Sequence, residues 1–241
     1  MIDNHTGLPA EKMYKTLTTP TYTLAEASRL VGVSRWRISR WLKGYEYTYS
    51  VRDERREGKQ ESIIKHSKEP MASFLDLIDL LFVKKFLERG FTLQYLRKAL
   101  EEAREKWGTP HFARSKFFTS GKQIVLELGS ESKYMIALMT GGQSAMPQII
   151  EQLDNKIDFE KVTGFELASR WYPLGKNGLI VIDPQVSFGR PTLIGRSIAV
   201  ANIYDLYLGE NKKIEPVSHW YSIPRREINA AISFQSNLVG A

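Results

Sequence analysis

Residues 23–44 constrain this chain more than any other stretch. Thr23 is followed three places later by Glu26, the spacing of a capping box. Leu24, Ala27, Leu30 and Val31 then share one face of the helix such a box would start. Gly32 offers a turn at a left-handed angle that a side chain would resist. Ser34 stands at the cap of a second helix, in which Trp36, Ile38, Trp41 and Leu42 supply the apolar positions before Gly44 ends it. Two short helices around a glycine turn predict a helix-turn-helix.

The second helix carries Arg35, Arg37, Arg40 and Lys43, with no acid anywhere in 34–43. Guanidinium forks on such a helix match guanine O6 and N7 in the major groove, and its charge neutralises phosphate. Ser34, Arg35, Trp36, Arg37, Arg40 and Lys43 are therefore the candidate DNA-binding residues. Arg35 and Arg37 lie near the end that usually enters a groove and suit base readout, while Arg40 and Lys43 suit phosphate. The overall charge agrees: of a net +7 over 241 residues, the first 120 hold 22 basic and 15 acidic side chains. The remaining residues carry 12 of each, so the whole excess sits beside the predicted helix-turn-helix.

The expected fold is α+β and mostly helical. Residues 1–20 lack apolar periodicity and read as a flexible arm. Residues 21–120 read as a winged helix-turn-helix domain: the alternating aromatic run 45–51, the charged stretch 52–61 and 62–65 form a wing turning near Gly58. That wing reads as a solvated loop, because Asp53, Glu54, Glu57 and Glu61 offset Arg52, Arg55, Arg56 and Lys59. A strong apolar helix follows from Met71, with Phe74, Leu75, Ile78, Leu81, Phe82 and Phe86 on one stripe and enough further leucines to bury two sides. Thr92 caps another helix. Residues 121–175 read as a connecting α/β segment, with strands at 123–128, 133–138 and 165–171, a turn at Gly141-Gly142 and a helix at 146–153. Residues 176–241 read as a small domain of a strand at 178–182, a glycine-punctuated extended stretch, a helix at 202–208 and a last helix pair, 215–221 and 225–234. That pair also has helix-turn-helix spacing, but Glu227 interrupts its basic start.

Several chemistries find no support. Zero cysteines exclude disulfides, thiol catalysis and thiolate-bound metals. His5, His66, His111 and His219 are scattered without ligand spacing, and no phosphate-cradling or metalloprotease motif occurs. Neither a catalytic site, a metal site nor a cofactor is expected. The longest apolar stretch, 74–83, contains Asp76 and Asp79 and falls short of a membrane span. With no signal pattern at the start, a cytoplasmic protein with no membrane partner is expected.

The run Asp183-Pro184 through Gly189-Arg190-Pro191-Thr192-Leu193-Ile194-Gly195-Arg196, continued by Ile203, Leu206, Gly209, Tyr221, Ile223, Ile228, Ala231 and Ile232, resembles domain-of-unknown-function family 433. Tyr22 through Ala27, Trp41-Leu42-Lys43-Gly44 and Ser73-Phe74-Leu75-Asp76-Leu77 resemble the MerR-like helix-turn-helix of the larger VapB-type antitoxins. Gln143 and Arg170-Trp171-Tyr172-Pro173 sit where that family's middle segment would put them. The resemblance implies an antitoxin of a type II toxin–antitoxin pair, an autorepressor that binds operator DNA and masks a co-encoded PIN-like ribonuclease toxin. A homodimer is expected, because two recognition helices one DNA turn apart read a palindrome. The extended segment 188–198 would cover the toxin's groove, with Phe188, Arg190 and Arg196 as toxin-binding residues. The alternative from another class is a MerR-like transcriptional regulator sensing a small molecule, and a third is an enzyme carrying a DNA-targeting domain.

Overall fold

The computed structural model describes residues 9–64, 71–107, 111, 113, 152–153 and 155–240. The strands expected at 123–128 and 133–138, Phe117, Phe118, Gly141-Gly142, Gln143 and His66 lie outside them. So do all but the last two residues of the helix expected at 146–153. What is described is α+β, as the periodicity predicts, and it divides into two compact units: Pro20–Leu153, and Met1–Thr19 together with Asp154–Gly240.

The first unit opens with β1 (Tyr22–Thr23), which pairs antiparallel with β4 (Met71–Ala72). Thr23 starts α2 (Leu24–Val31) with the predicted capping box: its hydroxyl accepts from the Glu26 amide at 3.2 Å, and its own amide donates to Glu26 Oε2 at 2.8 Å. Gly32 closes α2 at φ +67. Ser34 occupies the cap of α3 (Arg35–Lys43) but caps only through its carbonyl, which accepts from Ile38 N at 3.1 Å.

The wing is a hairpin of β2 (Tyr45–Val51) and β3 (Glu54–Gln60) in continuous register from Tyr45↔Gln60 to Val51↔Glu54. Its turn is Arg52–Asp53, at φ +50 and +66, and not Gly58. Two left-handed residues make the turn whose twist suits a hairpin, so the charged stretch expected to be loop is itself the second strand. Gly58 instead lies opposite Tyr47, where a Cβ would meet the ring at 2.6 Å.

Helix α4 (Phe74–Glu88) is the unit's core. Every residue from Phe74 to Val83 is buried, Asp76 and Asp79 included, so the apolar surface that suggested two buried sides is covered on all of them. Asp76 is tolerated because it completes a capping box with Ser73, taking the Ser73 amide at 2.8 Å. Asp79 accepts from Ala113 N at 3.0 Å and lies 2.7 Å from His111 Nδ1. Burial pushes the Asp79 carboxyl above its ordinary range, against the pull of the His111 ring. His111 therefore has a partner, 32 residues away, that sequence spacing did not reveal. Thr92 caps α5 (Leu93–Trp107) by accepting from Tyr95 N at 3.2 Å.

In the second unit, where the sequence predicts a loose arm, α1 (Ala10–Thr18) is a helix that buries Met13 and Leu17 against β5 (Ile157–Val162). Ala10, Met13, Tyr14 and Leu17 do recur at i, i+3, i+4 and i+7, a stripe of two turns set between Pro9 and Pro20, so the helical period is present although short. An antiparallel sheet runs β5–β6 (Phe165–Trp171)–β7 (Ile180–Ile182)–β8 (Pro191–Leu193). Helices α6 (Val200–Gly209), α7 (Ile214–Tyr221) and α8 (Arg225–Val239) close a core of Ile180, Leu193, Val200, Ile203, Val217, Ile223, Ile228, Ala231 and Phe234. Each large aliphatic or aromatic side chain taken out of water there contributes about 1.5–3 kcal/mol.

Gly44 ties the hairpin to α3 at φ +73, and a Cβ there would strike the Gln60 carbonyl and lie 3.0 Å from the Ser62 amide. Gly90, at φ +88, has nothing within 4 Å of a Cβ. Gly90→Ala is expected to cost only the left-handed strain, about 1 kcal/mol, and Gly44→Ala at least twice that. Urea melts of the two variants beside the wild type measure the difference.

Candidate functional site

Helix α3 has two sides. Ile38, Trp41 and Leu42 are buried, and the Trp41 carbonyl accepts from Ile63 N and Ile64 N at 2.9 and 3.2 Å. Ser34, Arg35, Arg37 and Lys43 are exposed, and no ion-pair partner is found for these three basic side chains among the described residues. Trp36, one of the apolar positions and also a candidate DNA-binding residue, is 64% exposed, unlike Ile38, Trp41 and Leu42. It lies one turn before Arg40, whose guanidinium sits 4.2 Å from the Trp36 ring centroid and 3.2 Å from that of Tyr45. Stacking uses the faces of a guanidinium and leaves its edge N–H groups free to donate.

Beneath the hairpin base, Arg97 of α5 donates through Nε to the Glu61 carbonyl at 3.0 Å. Its Nη2 is buried with no hydrogen-bond partner among the described residues. Burial lowers its pKa and the Arg40 charge lowers it further, although Tyr45 and Glu101 act in the opposite sense.

The turn between α2 and α3 has a counterpart in the second unit. Ser28 Oγ donates to the Val33 carbonyl at 2.7 Å across left-handed Gly32, and Ser218 Oγ donates to the Ile223 carbonyl at 2.7 Å across left-handed Ser222. The two helix pairs are built on one device, but their charges differ. In α8, Arg225 pairs with Glu215 at 2.6 Å, and Glu227 takes Arg196 Nε at 2.6 Å. The basic start of α8 is thus half answered from within, whereas α3 has no acid to answer it.

A second exposed feature lies before β8. Ser187, Phe188 and Gly189 have φ of +48, +57 and +74, and Phe188 is 84% exposed. Left-handed backbone at a non-glycine residue costs of order 1–3 kcal/mol and persists only when its surroundings enforce it. Here Gly189 N donates to the Val186 carbonyl at 2.9 Å, and Ser187 Oγ donates to the Ser197 carbonyl at 2.7 Å. Upstream, Asp183 accepts from Gln185 N and from Arg170 Nε, both at 2.8 Å. Arg170 and Asp183, quoted above from separate motifs, are therefore one buttress under this turn. Arg190 is exposed beside it, while Arg196 is ion-paired and only 33% exposed at its side chain.

Residues 180–234, from β7 into α8, match the family model described as "Protein of unknown function (DUF433)". The chain is 26% identical over 200 residues to the Mycobacterium tuberculosis (strain ATCC 25618 / H37Rv) protein named "Putative antitoxin VapB45". That match covers 76% of this chain and 81% of the relative. Among solved structures, the crystal structure of Rv2018 from Mycobacterium tuberculosis superposes with a TM-score of 0.60 at 20% identity, over 89% of this chain and 98% of that one. The fold is therefore shared with that protein across most of both chains.

Among the described residues no group of three or more His, Asp or Glu side chains is arranged to hold a metal, and no helix is long and apolar enough to cross a membrane. A cavity of about 280 Å³ lies against the sheet, lined in part by Arg170, Tyr172, Asp183, Thr192, Arg196 and Ser197. Its polar groups serve one another. Tyr172 Oη donates to Asp158 Oδ2 at 2.8 Å, and Lys176 reaches Asp158 Oδ1 at 2.9 Å. Burial pushes Asp158 up, but the bonds from Lys176 and Tyr172 outweigh it and hold the carboxyl below its ordinary range.

Burial and the bond to Asp158 push the Tyr172 phenol up from 10.0 to about 12. A raised folded pKa means stability that is fully present below the unfolded value and lost as pH rises through the folded one. Tyr172→Phe is expected to cost ~1 kcal/mol near neutral pH, the group being partly exposed. The gap between wild type and variant should hold up to about pH 10 and close toward pH 12, as read from urea unfolding across that range.

Proposed function

We propose that this chain is the antitoxin of a toxin–antitoxin pair, binding operator DNA through α2–α3 and masking its toxin through the second unit. The observation that carries the DNA half is the outer side of α3: three exposed basic side chains, Arg35, Arg37 and Lys43, with no acid on the helix and a buried opposite side. Similarity to a protein named as an antitoxin supports the role as a whole. Of the two helix pairs, the first is assigned to DNA, because at the head of α8 Arg225 is paired with Glu215 and Glu227 adds an acid, which leaves Arg226 alone against the three exposed cations of α3.

For the toxin half, Phe188 supplies an anchor. The backbone beneath this aromatic side chain is already fixed, so docking it adds only the ordering of the side chain itself. Arg190, exposed beside it, is the cation free to meet a nuclease's acidic site, and Arg196 serves to position α8 rather than to reach the toxin. The partner would be a PIN-like ribonuclease, and two copies of this chain would place two α3 helices on a palindromic operator.

A MerR-like regulator sensing a small molecule remains the second reading, and the cavity near Arg170 is the observation in its favour. At about 280 Å³ it lies at the lower limit of ligand pockets, which hold roughly 300–1,000 Å³. Its arginines are also already bound to carboxylates.

Co-expression with the adjacent reading frame tests the role: a small ribonuclease should co-purify and lose activity, and its absence ends the antitoxin reading. Phe188→Ala should weaken that complex by ~2 kcal/mol or more, measured by calorimetry, with the chain's own melting temperature unchanged or raised. On DNA, Arg35→Ala should relax base preference at one position at a cost of ~1–3 kcal/mol. Lys43→Ala should weaken all sequences alike and reduce the salt slope by about one unit.

A further inference from the structure

We propose that the cavity behind the Phe188 turn is a socket for one aromatic side chain of the protein that Phe188 docks into, so that each chain receives a ring from the other. The inference rests on the reading of the second unit as the toxin-binding part and gives that surface a second element. Strand alternation builds the cavity. Trp171 pairs with Ile182, Ile180 with Leu193, and Ile180 and Leu193 join the helical core. Val181 and its register partner Thr192, with Arg170 and Tyr172 either side of Trp171, therefore fall on the sheet's other face. Two connections meet that face: 183–189, which carries the Phe188 turn, and 194–197, which leads to a bridge between Thr192 and Ala199. Ser187 Oγ donates to the Ser197 carbonyl at 2.7 Å and ties the two together. The cavity of about 280 Å³ is the space left beneath them, with Val181, Val186 and Ile194 among its walls.

Its polar groups are already committed. Arg170 gives Nε to Asp183 at 2.8 Å, and its Nη groups lie 3.9 and 3.6 Å from Asp158 and Glu160. Arg196 gives Nε to Glu227 at 2.6 Å. The Tyr172 hydroxyl donates to Asp158 and the Thr192 hydroxyl to the Val181 carbonyl. A charged guest would give up its water and compete with these carboxylates for the arginines. A guanidinium bound to carboxylates around its edge still has its faces, and those stack on aromatic rings. Together with the aliphatic walls, they select an aromatic guest. Benzene is held by a cavity of roughly 150 Å³, whereas pockets for free ligands hold roughly 300–1,000 Å³. About 280 Å³ suits one ring.

Position says whose ring it is. Val186 and Ser197 line the cavity, and the turn from Val186 to Gly189 also holds Phe188, 84% exposed. Knob and socket thus share a wall. At the rim, Ile194 is 40% exposed, and a Cβ on Gly195 would meet nothing within 4 Å, so the entrance is open. A chain that seats Phe188 in a pocket of its own lies over this rim, and a ring on its surface can enter. Aromatic anchors in desolvated pockets on both partners are the arrangement that carries most binding energy in protein interfaces.

The test uses the full chain and the small protein encoded by the adjacent reading frame, with calorimetry on their complex. Ser197 is exposed, so Ser197→Trp fills the socket from its rim without touching the core. It is expected to weaken the complex by roughly 10-fold or more, with the melting temperature of the free chain unchanged or raised. Should that variant melt lower, Ile194→Glu, which sets a carboxylate at the exposed entrance, carries the test in its place. Ser197→Ala leaves the socket empty and should bind as wild type does. Alanine replacement of the partner's exposed aromatic residues, one at a time, should find one whose loss matches that of Ser197→Trp and adds nothing to it.

Wild-type affinity in the blocked variant overturns the inference. An equal loss in Ser197→Ala overturns it too, and so does a partner with no aromatic residue coupled to the socket. Phe188→Ala separates the two levels. If it weakens the complex while the blocked socket does not, the inference alone fails. If no complex forms, or Phe188→Ala binds as tightly as wild type, the reading of this surface fails and the inference with it.

Discussion

A helix can hold arginines out to solvent only if its other side is anchored well enough to forgo them. In α3 that anchoring is apolar: Ile38, Trp41 and Leu42 are buried, and the chain returning from the hairpin hangs Ile63 and Ile64 from the Trp41 carbonyl. The anchor extends to α4, whose Lys84 donates to the Val31 carbonyl at 2.9 Å, at the C-terminal end of α2 where a cation suits the helix dipole. Arg35 and Arg37, two residues apart, flank the buried strip of α3 on opposite sides, and with Lys43 all three are exposed to water. The apolar anchor, rather than pairing with acids, is what holds them there.

The same geometry with different charges gives a different surface. Both helix pairs turn on a serine hydroxyl bound to a carbonyl five residues on, across one left-handed residue. That residue is Gly32 in one pair and Ser222 in the other, which accepts the strain of a side chain at φ +52. What separates the pairs is Glu227, which faces Arg196 where α3 offers Arg37 to water at the corresponding place. One acidic residue in the first turn draws an arginine from the β8–α6 connection onto the helix, and the start of α8 keeps only Arg226 outside the ion pairs. The two pairs thus share a backbone device and differ in how far their cations are answered by acids.

Local features were legible in the sequence and long-range ones were not. The capping box of Thr23 and Glu26, the Thr92 cap, the Gly32 turn and the strand Phe165–Trp171 all follow from neighbours within a few residues. Periodicity marks Trp36 as apolar without saying that a cation, Arg40, rather than a core covers it. The hairpin turn went to Gly58 because glycine is the usual left-handed residue, whereas Arg52 and Asp53 adopt that backbone here. His111–Asp79 and Arg196–Glu227 join residues 32 and 31 apart, and no spacing rule reaches that far. For the candidate site, the basic helix was readable as a charge pattern, whereas the packing of Trp36 and Tyr45 on the Arg40 guanidinium was not.

The two exposed aromatic features differ in what holds them, and that difference bears on what each is suited to meet. Phe188 stands alone on a backbone kept left-handed by hydrogen bonds from Ser187 and Gly189, over the Arg170–Asp183 buttress. A single apolar knob with no hydroxyl suits a pocket, and a pocket is what a protein partner supplies. Tyr45, Tyr47 and Tyr49 instead form a row of mutually tilted rings along one side of the hairpin, and Tyr45 covers the Arg40 guanidinium of the cationic helix. Each of those rings carries a hydroxyl, so an apolar pocket does not suit them. The net +7 lies wholly in the part of the chain that carries the row, and none of it in the part that carries the knob.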